Sequence, residues 1–153
     1  MWLYQNKEVI SIEDIPEGII GFIYKITHIP SGKAYIGKKV LQHSLKKKLT
    51  KKELAEQTGP GRKPTTKRIV KESDWKTYYG SSKPFLALVK ENPKEDFKRE
   101  ILRYVKSKKL LAYYETKELF VNEVLEYPDV YYNTNILGKF YSIDFSPKPN
   151  MLG

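Results

Sequence analysis

The stretch Gly18-Ile19-Ile20-Gly21-Phe22-Ile23-Tyr24-Lys25-Ile26-Thr27, continued by His28-Ile29-Pro30-Ser31-Gly32 and then Lys33-Ala34-Tyr35-Ile36-Gly37, decides the fold. Its first segment is dense in β-branched and aromatic residues, which suit a pleated, half-buried surface. The middle segment supplies turn chemistry, with Pro fixing φ and Gly admitting positive φ. Lys33 to Gly37 reads as a second strand, so the two apolar runs form an antiparallel hairpin.

Upstream, residues 2–16 form a short lead-in with one strand, ended by Asp14-Ile15-Pro16. Downstream, residues 38–74 lack a sustained apolar period. Gly59-Pro60-Gly61 and Pro64 interrupt them, and Lys46-Lys47-Lys48 and Lys51-Lys52 stud them. This is a long basic insertion with one short helix near 50–57; segments of this kind are usually functional or disordered. Packed, aromatic sequence resumes at Trp75-Lys76-Thr77-Tyr78-Tyr79-Gly80. Ser82 caps a helix starting near Pro84, with Phe85, Leu86, Leu88 and Val89 facing inward, and Asn92-Pro93 ends it. Phe97 to Val105 reads as a third strand. Ser107 opens the longest helix, roughly 108–126, with Leu110, Leu111, Tyr114, Val121, Val124 and Leu125 at helical spacing. The expectation is an α+β domain over 1–153: a three-stranded antiparallel sheet flanked by helices, with a basic insertion at 38–74. The hairpin and the long helix form its active face.

The charge is concentrated. Residues 33–76 hold 14 Lys or Arg against four acids, a balance that equals the +10 of the whole chain. No carboxylate occurs from Gly18 to Lys52. A basic stretch on a neutral body is the footprint of a polyanion binder, although a solvated loop, anionic lipid or RNA would also account for it. The chain has no cysteine, which excludes a disulfide framework and a thiolate zinc site. No run approaches the roughly 18 apolar residues of a membrane span, and the first residues lack a signal-peptide layout. The expected location is the cytoplasm.

Gly21-Phe22-Ile23-Tyr24 followed by Tyr35-Ile36-Gly37 resembles the paired motif of the GIY-YIG nuclease superfamily. The flanks agree: Tyr24-Lys25-Ile26-Thr27, a Gly-containing turn, then a Lys before the second tyrosine. The later landmarks follow in order over roughly 18–136: strand Phe97–Leu102, a helix carrying Tyr114-Glu115, and Tyr132-Asn133. Trp75-Lys76-Thr77-Tyr78-Tyr79-Gly80-Ser81-Ser82 is similar to a segment of small phage-encoded, homing-type members. The sequence departs from the pattern twice. Phe22 stands where the first motif usually has its Gly, with Gly21 one step earlier. The arginine normally found about ten residues past the second motif is absent, since that neighbourhood reads Gln42-His43-Ser44-Leu45-Lys46. Arg62 and Arg68 come next, and Arg68 precedes the segment where the pattern resumes.

The resemblance implies a DNA endonuclease in which Tyr24 is the general base and Tyr35 orients water or metal. Glu115 binds the divalent cation, Asn133 supports the site, and Arg68 or Arg62 grips the scissile phosphate. Lys38 and Lys39 share that work, and Lys67 and Lys71 join Arg62 in binding DNA. Phosphodiester hydrolysis needs an activated water, charge stabilisation and help for the leaving oxygen. A two-metal site needs several converging carboxylates, which the acid-free stretch 18–52 does not supply; one Mg²⁺ or Mn²⁺ per site is what the composition permits. The expected partner is double-stranded DNA, with recognition supplied by the insertion, a homodimer or a partner protein.

Competing readings remain at this level. By helical angle Glu118 lies deeper in the apolar stripe than Glu115, and Asn135 is as plausible a turn residue as Asn133. Glu115-Thr116-Lys117 with Asp96 upstream fits the Glu-x-Lys of another nuclease fold, which places that motif on a strand. His28 and His43 have no metal-like partner. A non-catalytic basic nucleic-acid-binding module is the alternative function.

Overall fold

Apolar side chains on both sides of one strand require cover on both sides, and Gly21–His28 is such a strand, with Phe22, Ile23, Tyr24 and Ile26 all buried. In the computed structural model, which describes residues 1–145, it is the third of nine strands and is flanked by its two longest partners. The preceding strands are β1 (Trp2–Tyr4) and β2 (Lys7–Val9); β3 is Gly21–His28 and β4 is Ala34–Val40. The turn between β3 and β4 is the expected one, with Gly32 at φ 73° and its N–H donating to the His28 carbonyl. The predicted third strand is found at Phe97–Val105, here β7, antiparallel to β3.

The sheet has five strands rather than three, in the order β2-β1-β7-β3-β4, and β1 runs parallel to β7. The lead-in therefore holds a hairpin, not one strand. Its turn residues Gln5 and Asn6 both take positive φ, as tight hairpin turns require. Three-residue strands are too short to show an alternating pattern, which is why the sequence reading misses them.

Each face of the sheet is covered. On one side Trp2, Phe22, Tyr24, Trp75, Phe85 and Phe97 form an aromatic cluster beneath α2 (Lys83–Glu91) and the Trp75 segment. Arg99 is buried and donates to the Lys76 and Tyr78 carbonyls at 3.1 and 2.9 Å, fastening that segment to β7. On the other side Ile23, Ile36 and Val105 meet α3 (Lys108–Val121) through Leu111 and Leu119. The Ser82 and Ser107 caps are present, accepting from Phe85 and Leu110. Leu86, expected inward, is exposed, and so are Leu110 and Val121 of the helical apolar period. Helix α3 ends at Val121 rather than near 126. Glu123 takes φ 52°, the Val124 N–H donates to Leu119 and the Glu123 N–H to Phe120. This terminator turns the chain so that Val124 and Leu125 reach the core from outside the helix.

The insertion is not a loop. Gln42–Lys48 (β5) and Thr66–Glu72 (β6) form a two-stranded antiparallel ribbon, with α1 (Lys51–Ala55) near its tip under a Thr50–Glu53 capping box. Its base is sewn to the sheet: the Leu41 N–H donates to Ile20, and Ser73 donates to Leu41 and Val40. Strands β8 (Asn135–Ile136) and β9 (Phe140–Tyr141) close the described chain, and residues 146–153 of the 1–153 domain reading lie outside it. Among the described residues no helix is long and apolar enough to cross a membrane.

Candidate active site

The geometry starts from a missing side chain. Register pairs Tyr24 on β3 with Gly37 on β4, and the Tyr24 ring lies across that glycine. A Cβ on Gly37 would collide with the Tyr24 hydroxyl and stand 2.7 Å from Cζ. Gly80, at φ 100°, closes the other side: a Cβ there would sit 3.2 Å from the Tyr35 ring and 3.4 Å from the Tyr24 hydroxyl. Two glycines from separate segments thus admit two phenols, whose ring centroids are 6.3 Å apart. Tyr35 stacks on Phe85, and its hydroxyl is 3.3 Å from the Ser81 Oγ. A third phenol, Tyr78, stands edge-on to Tyr24 at 5.9 Å.

Glu115 reaches this cluster from the opposite face. The Ile36 N–H and C=O, both bonded to the Asn133 amide at 3.0 and 2.7 Å, point away from β3 along the outer edge of β4. Lys38, two residues on, points its backbone the same way. The Glu115 carboxylate stands beside this stretch of strand, with the Lys38 ammonium 3.8 Å from Oε1. Burial nevertheless raises the Glu115 pKa, the Lys38 contacts offsetting only part of the desolvation. The carboxylate's field raises both phenols in turn, so all three groups share one electrostatic environment. Desolvation is the larger cause for both. It acts most on Tyr24, which is 1 % exposed, and holds it far above the usual phenol range. For Tyr35 the Ser81 hydrogen bond opposes the rise.

The structure sets Tyr24 beside Tyr35, Glu115 beside Lys38, and Asn133 on the backbone of the strand that carries Tyr35 and Lys38. It does not bring in Arg68, which is exposed in the middle of the ribbon opposite Lys46, nor Arg62 in the turn between α1 and β6. Arg68 was favoured because the pattern resumes soon after it; the ribbon instead carries it outward. Lys71 stands opposite His43 near the ribbon base, and Lys67 pairs with Glu53 at 2.5 Å. Lys39 is 12 % exposed, paired with Asp74 at 2.5 Å and lying 3.9 Å over the Tyr78 ring, so its charge is committed within the protein. Glu118 accepts from Asn122, and Asn135 accepts from Gly138 in the last hairpin, which leaves both in local structural roles. Glu115-Thr116-Lys117 is helical, against the Glu-x-Lys alternative, and His28 is spent on Ser31 in its turn.

Sequence reasoning assigned no role to Tyr78, Gly80 or Ser81. The available signal was a glycine inside an otherwise aromatic run, which marks a close approach of backbone to side chain.

A family model described as "Putative endonuclease segE, GIY-YIG domain" matches residues 2–136. The chain belongs to this GIY-YIG family. The match takes in every element from β1 to β8, including the ribbon and the Trp75 segment. No curated protein and no solved structure matches the chain.

Among the described residues no three His, Asp or Glu side chains cluster as a metal cage. Glu115 stands alone, desolvated and incompletely balanced by a lysine at 3.8 Å. A lone carboxylate of this kind suits a divalent cation that keeps most of its waters. A cleft of about 450 Å³ lined by Ile12, Ile15 and Leu41 holds none of the phenols. Residues 130–133 line the outer edge of β4 at Ala34 and Ile36, and Lys38 beyond them is exposed beside Glu115.

Proposed function

We propose that this GIY-YIG domain is a metal-dependent DNA endonuclease that hydrolyses phosphodiester bonds at the Tyr24–Tyr35–Glu115 cluster. The observation that supports it most is the pair of phenols admitted side by side by Gly37 and Gly80, on the strand whose Lys38 ammonium lies 3.8 Å from the Glu115 carboxylate. Glu115 holds one Mg²⁺ or Mn²⁺. Bound there, the cation supplies Lewis-acid stabilisation of the developing phosphate charge and lowers the cost of ionising a neighbouring phenol.

The chain's own groups do the rest. Tyr24 is neutral in the resting state, because burial opposes its anion. Positive charge gathered beside it would favour release of its phenolic proton to solvent, and the phenolate so formed would then accept the proton of the attacking water. Tyr35, held by Ser81 and by Phe85, orients the water through its hydroxyl. Lys38 is half-exposed beside Glu115 and takes the phosphate-gripping role first expected of Arg68. Asn133 fixes the strand that carries Tyr35, Gly37 and Lys38, so it positions the reacting groups without touching them. Double-stranded DNA is the partner, and a second copy or another protein completes recognition where both strands are cut. The host cytoplasm is where such an enzyme meets its substrate.

A second reading, a non-catalytic nucleic-acid-binding module, draws on one observation: the arginines of the ribbon stand apart from the phenols. Supercoiled plasmid separates the two. The nuclease relaxes or linearises it with Mg²⁺ and not with EDTA, and Glu115→Gln abolishes the reaction. Retention of DNA with no Mg²⁺-dependent product supports the binding module, and undiminished cleavage by Glu115→Gln removes Glu115 from the mechanism.

A further inference from the structure

The β5–β6 ribbon has two unlike sides. Directly opposed residues of an antiparallel pair share a face, and faces alternate along each strand. The register Ser44–Val70, Lys46–Arg68 and Lys48–Thr66 puts these six side chains on one face, and all are exposed. The other face carries Leu45–Ile69 and Lys47–Lys67. There Glu53 of α1 pairs with Lys67, and Ile69 is the one residue of the ribbon withdrawn from solvent. Helix α1 therefore touches the ribbon on this second face, through Glu53 and Lys67, and leaves the first face bare, although Leu45, Lys47 and Lys67 are themselves exposed.

We propose that the bare face enters the major groove of B-form DNA and reads base edges, with Arg68 and Lys46 as its central readers. This rests on the DNA substrate of the proposed function and adds where its sequence is read. A two-stranded ribbon fits the major groove, which is about 12 Å wide and about 8.5 Å deep. These six side chains are three cations, two hydroxyls and one valine; the carboxylate of that face, Glu72, lies at its base opposite Gln42 and is bound to Trp75 and Lys76. Guanidinium and ammonium groups pair with guanine edges, hydroxyls with any base, and apolar carbon with the thymine methyl. A structureless basic loop would supply attraction without this order of side chains. Strand β4, which carries Gly37 and Lys38, runs through Val40 and the anchored Leu41 directly into β5. Reading by the ribbon thereby fixes which phosphate lies at the phenols. The eight residues from Lys38 to Lys46 extend about 26 Å, so the bases read lie within about one helical turn of the cut. The deep, narrow major groove of an RNA duplex excludes such a ribbon.

The test uses the full chain on a plasmid library with randomised sequence, digested with Mg²⁺, its cut ends then sequenced. The wild type shows base preferences clustered on one side of the cut. Arg68→Ala flattens them at one or two adjacent pairs by about tenfold, the worth of a bidentate contact. Lys67→Ala, on the face that α1 touches, weakens binding without altering the preferences. Identical preferences for wild type and both Arg68→Ala and Lys46→Ala overturn the proposal. So does a loss of cutting by Arg68→Ala in which the residual products keep the wild-type preferences. If the wild type does not cut, the library is selected for binding in EDTA. A preference in the retained DNA that Arg68→Ala flattens sustains the ribbon while the nuclease reading fails. Displacement by a minor-groove ligand but not a major-groove one, or equal capture of duplex RNA, overturns it.

Discussion

Gly37→Ala sets a methyl group against the Tyr24 hydroxyl, in a place where the phenol is buried and the backbone is held by Asn133. Overpacking of this kind costs about 1–3 kcal/mol, and here the strain falls on the proposed base. Urea unfolding should show that loss, and plasmid cleavage should fall by more than the unfolded fraction explains. Asn133→Ala leaves a buried backbone N–H and C=O without partners, at a cost of about 1–3 kcal/mol for each group left unsatisfied. Glu115→Gln behaves in the opposite way. Burial raises the Glu115 pKa, so the folded chain holds its proton to higher pH than the unfolded chain does. The associated stability is whole below the ordinary carboxylate pKa and is lost as pH climbs through the raised one. The glutamine variant should therefore gain on the wild type in denaturant midpoints as pH rises above the ordinary carboxylate range, while losing cleavage. A variant that loses ground over that range would contradict the account of Glu115 as a carboxylate kept for function at a cost in stability.

At the scale of elements, β3 was legible because Phe22, Ile23 and Tyr24 are consecutive apolar residues that must be covered. Strand β4 was legible because it follows a marked turn, and β7 although Lys98, Arg99 and Glu100 interrupt its apolar residues. Their tyrosines were placed by motif spacing alone. The β1–β2 hairpin was not legible, since Trp2 and Val9 are single buried residues in three-residue strands. The ribbon was read as a loop for a different reason: neither of its faces packs on the core, so nothing imposes alternation on Gln42–Lys48. The same fact makes a prediction. Replacing residues 43–71 by a short turn removes side chains that are nearly all exposed, so the thermal midpoint should shift by only a few degrees. DNA affinity should collapse. A large loss of stability, seen by calorimetry, would mean that the ribbon braces the sheet. Glu123 tests the end of α3, because its φ of 52° suits glycine better. Glu123→Gly should add up to about 1 kcal/mol.

For the whole molecule, the +10 charge lies over the ribbon and the edge of β4 while the rest of the chain is neutral. Affinity for duplex DNA should fall steeply with salt, with a slope of about −0.9 in log K against log salt for each phosphate contacted. The position of the cationic partner was not legible in the sequence. Spacing put Arg68 near the resumed pattern, whereas the fold sets Arg68 within the β5–β6 ribbon, opposite Lys46, and Lys38 beside Glu115. The central claim is that Glu115 and two phenols, meeting around Gly37, form one cation site. Titration with paramagnetic Mn²⁺, read in the ring resonances of the tyrosines, tests it most directly. Tyr24 and Tyr35 should broaden first, while Tyr4 and Tyr104, in tilted contact on β1 and β7, stay sharp, and Glu115→Gln should abolish the difference. Broadening that ignores Tyr24 and Tyr35, or that survives Glu115→Gln, would contradict it.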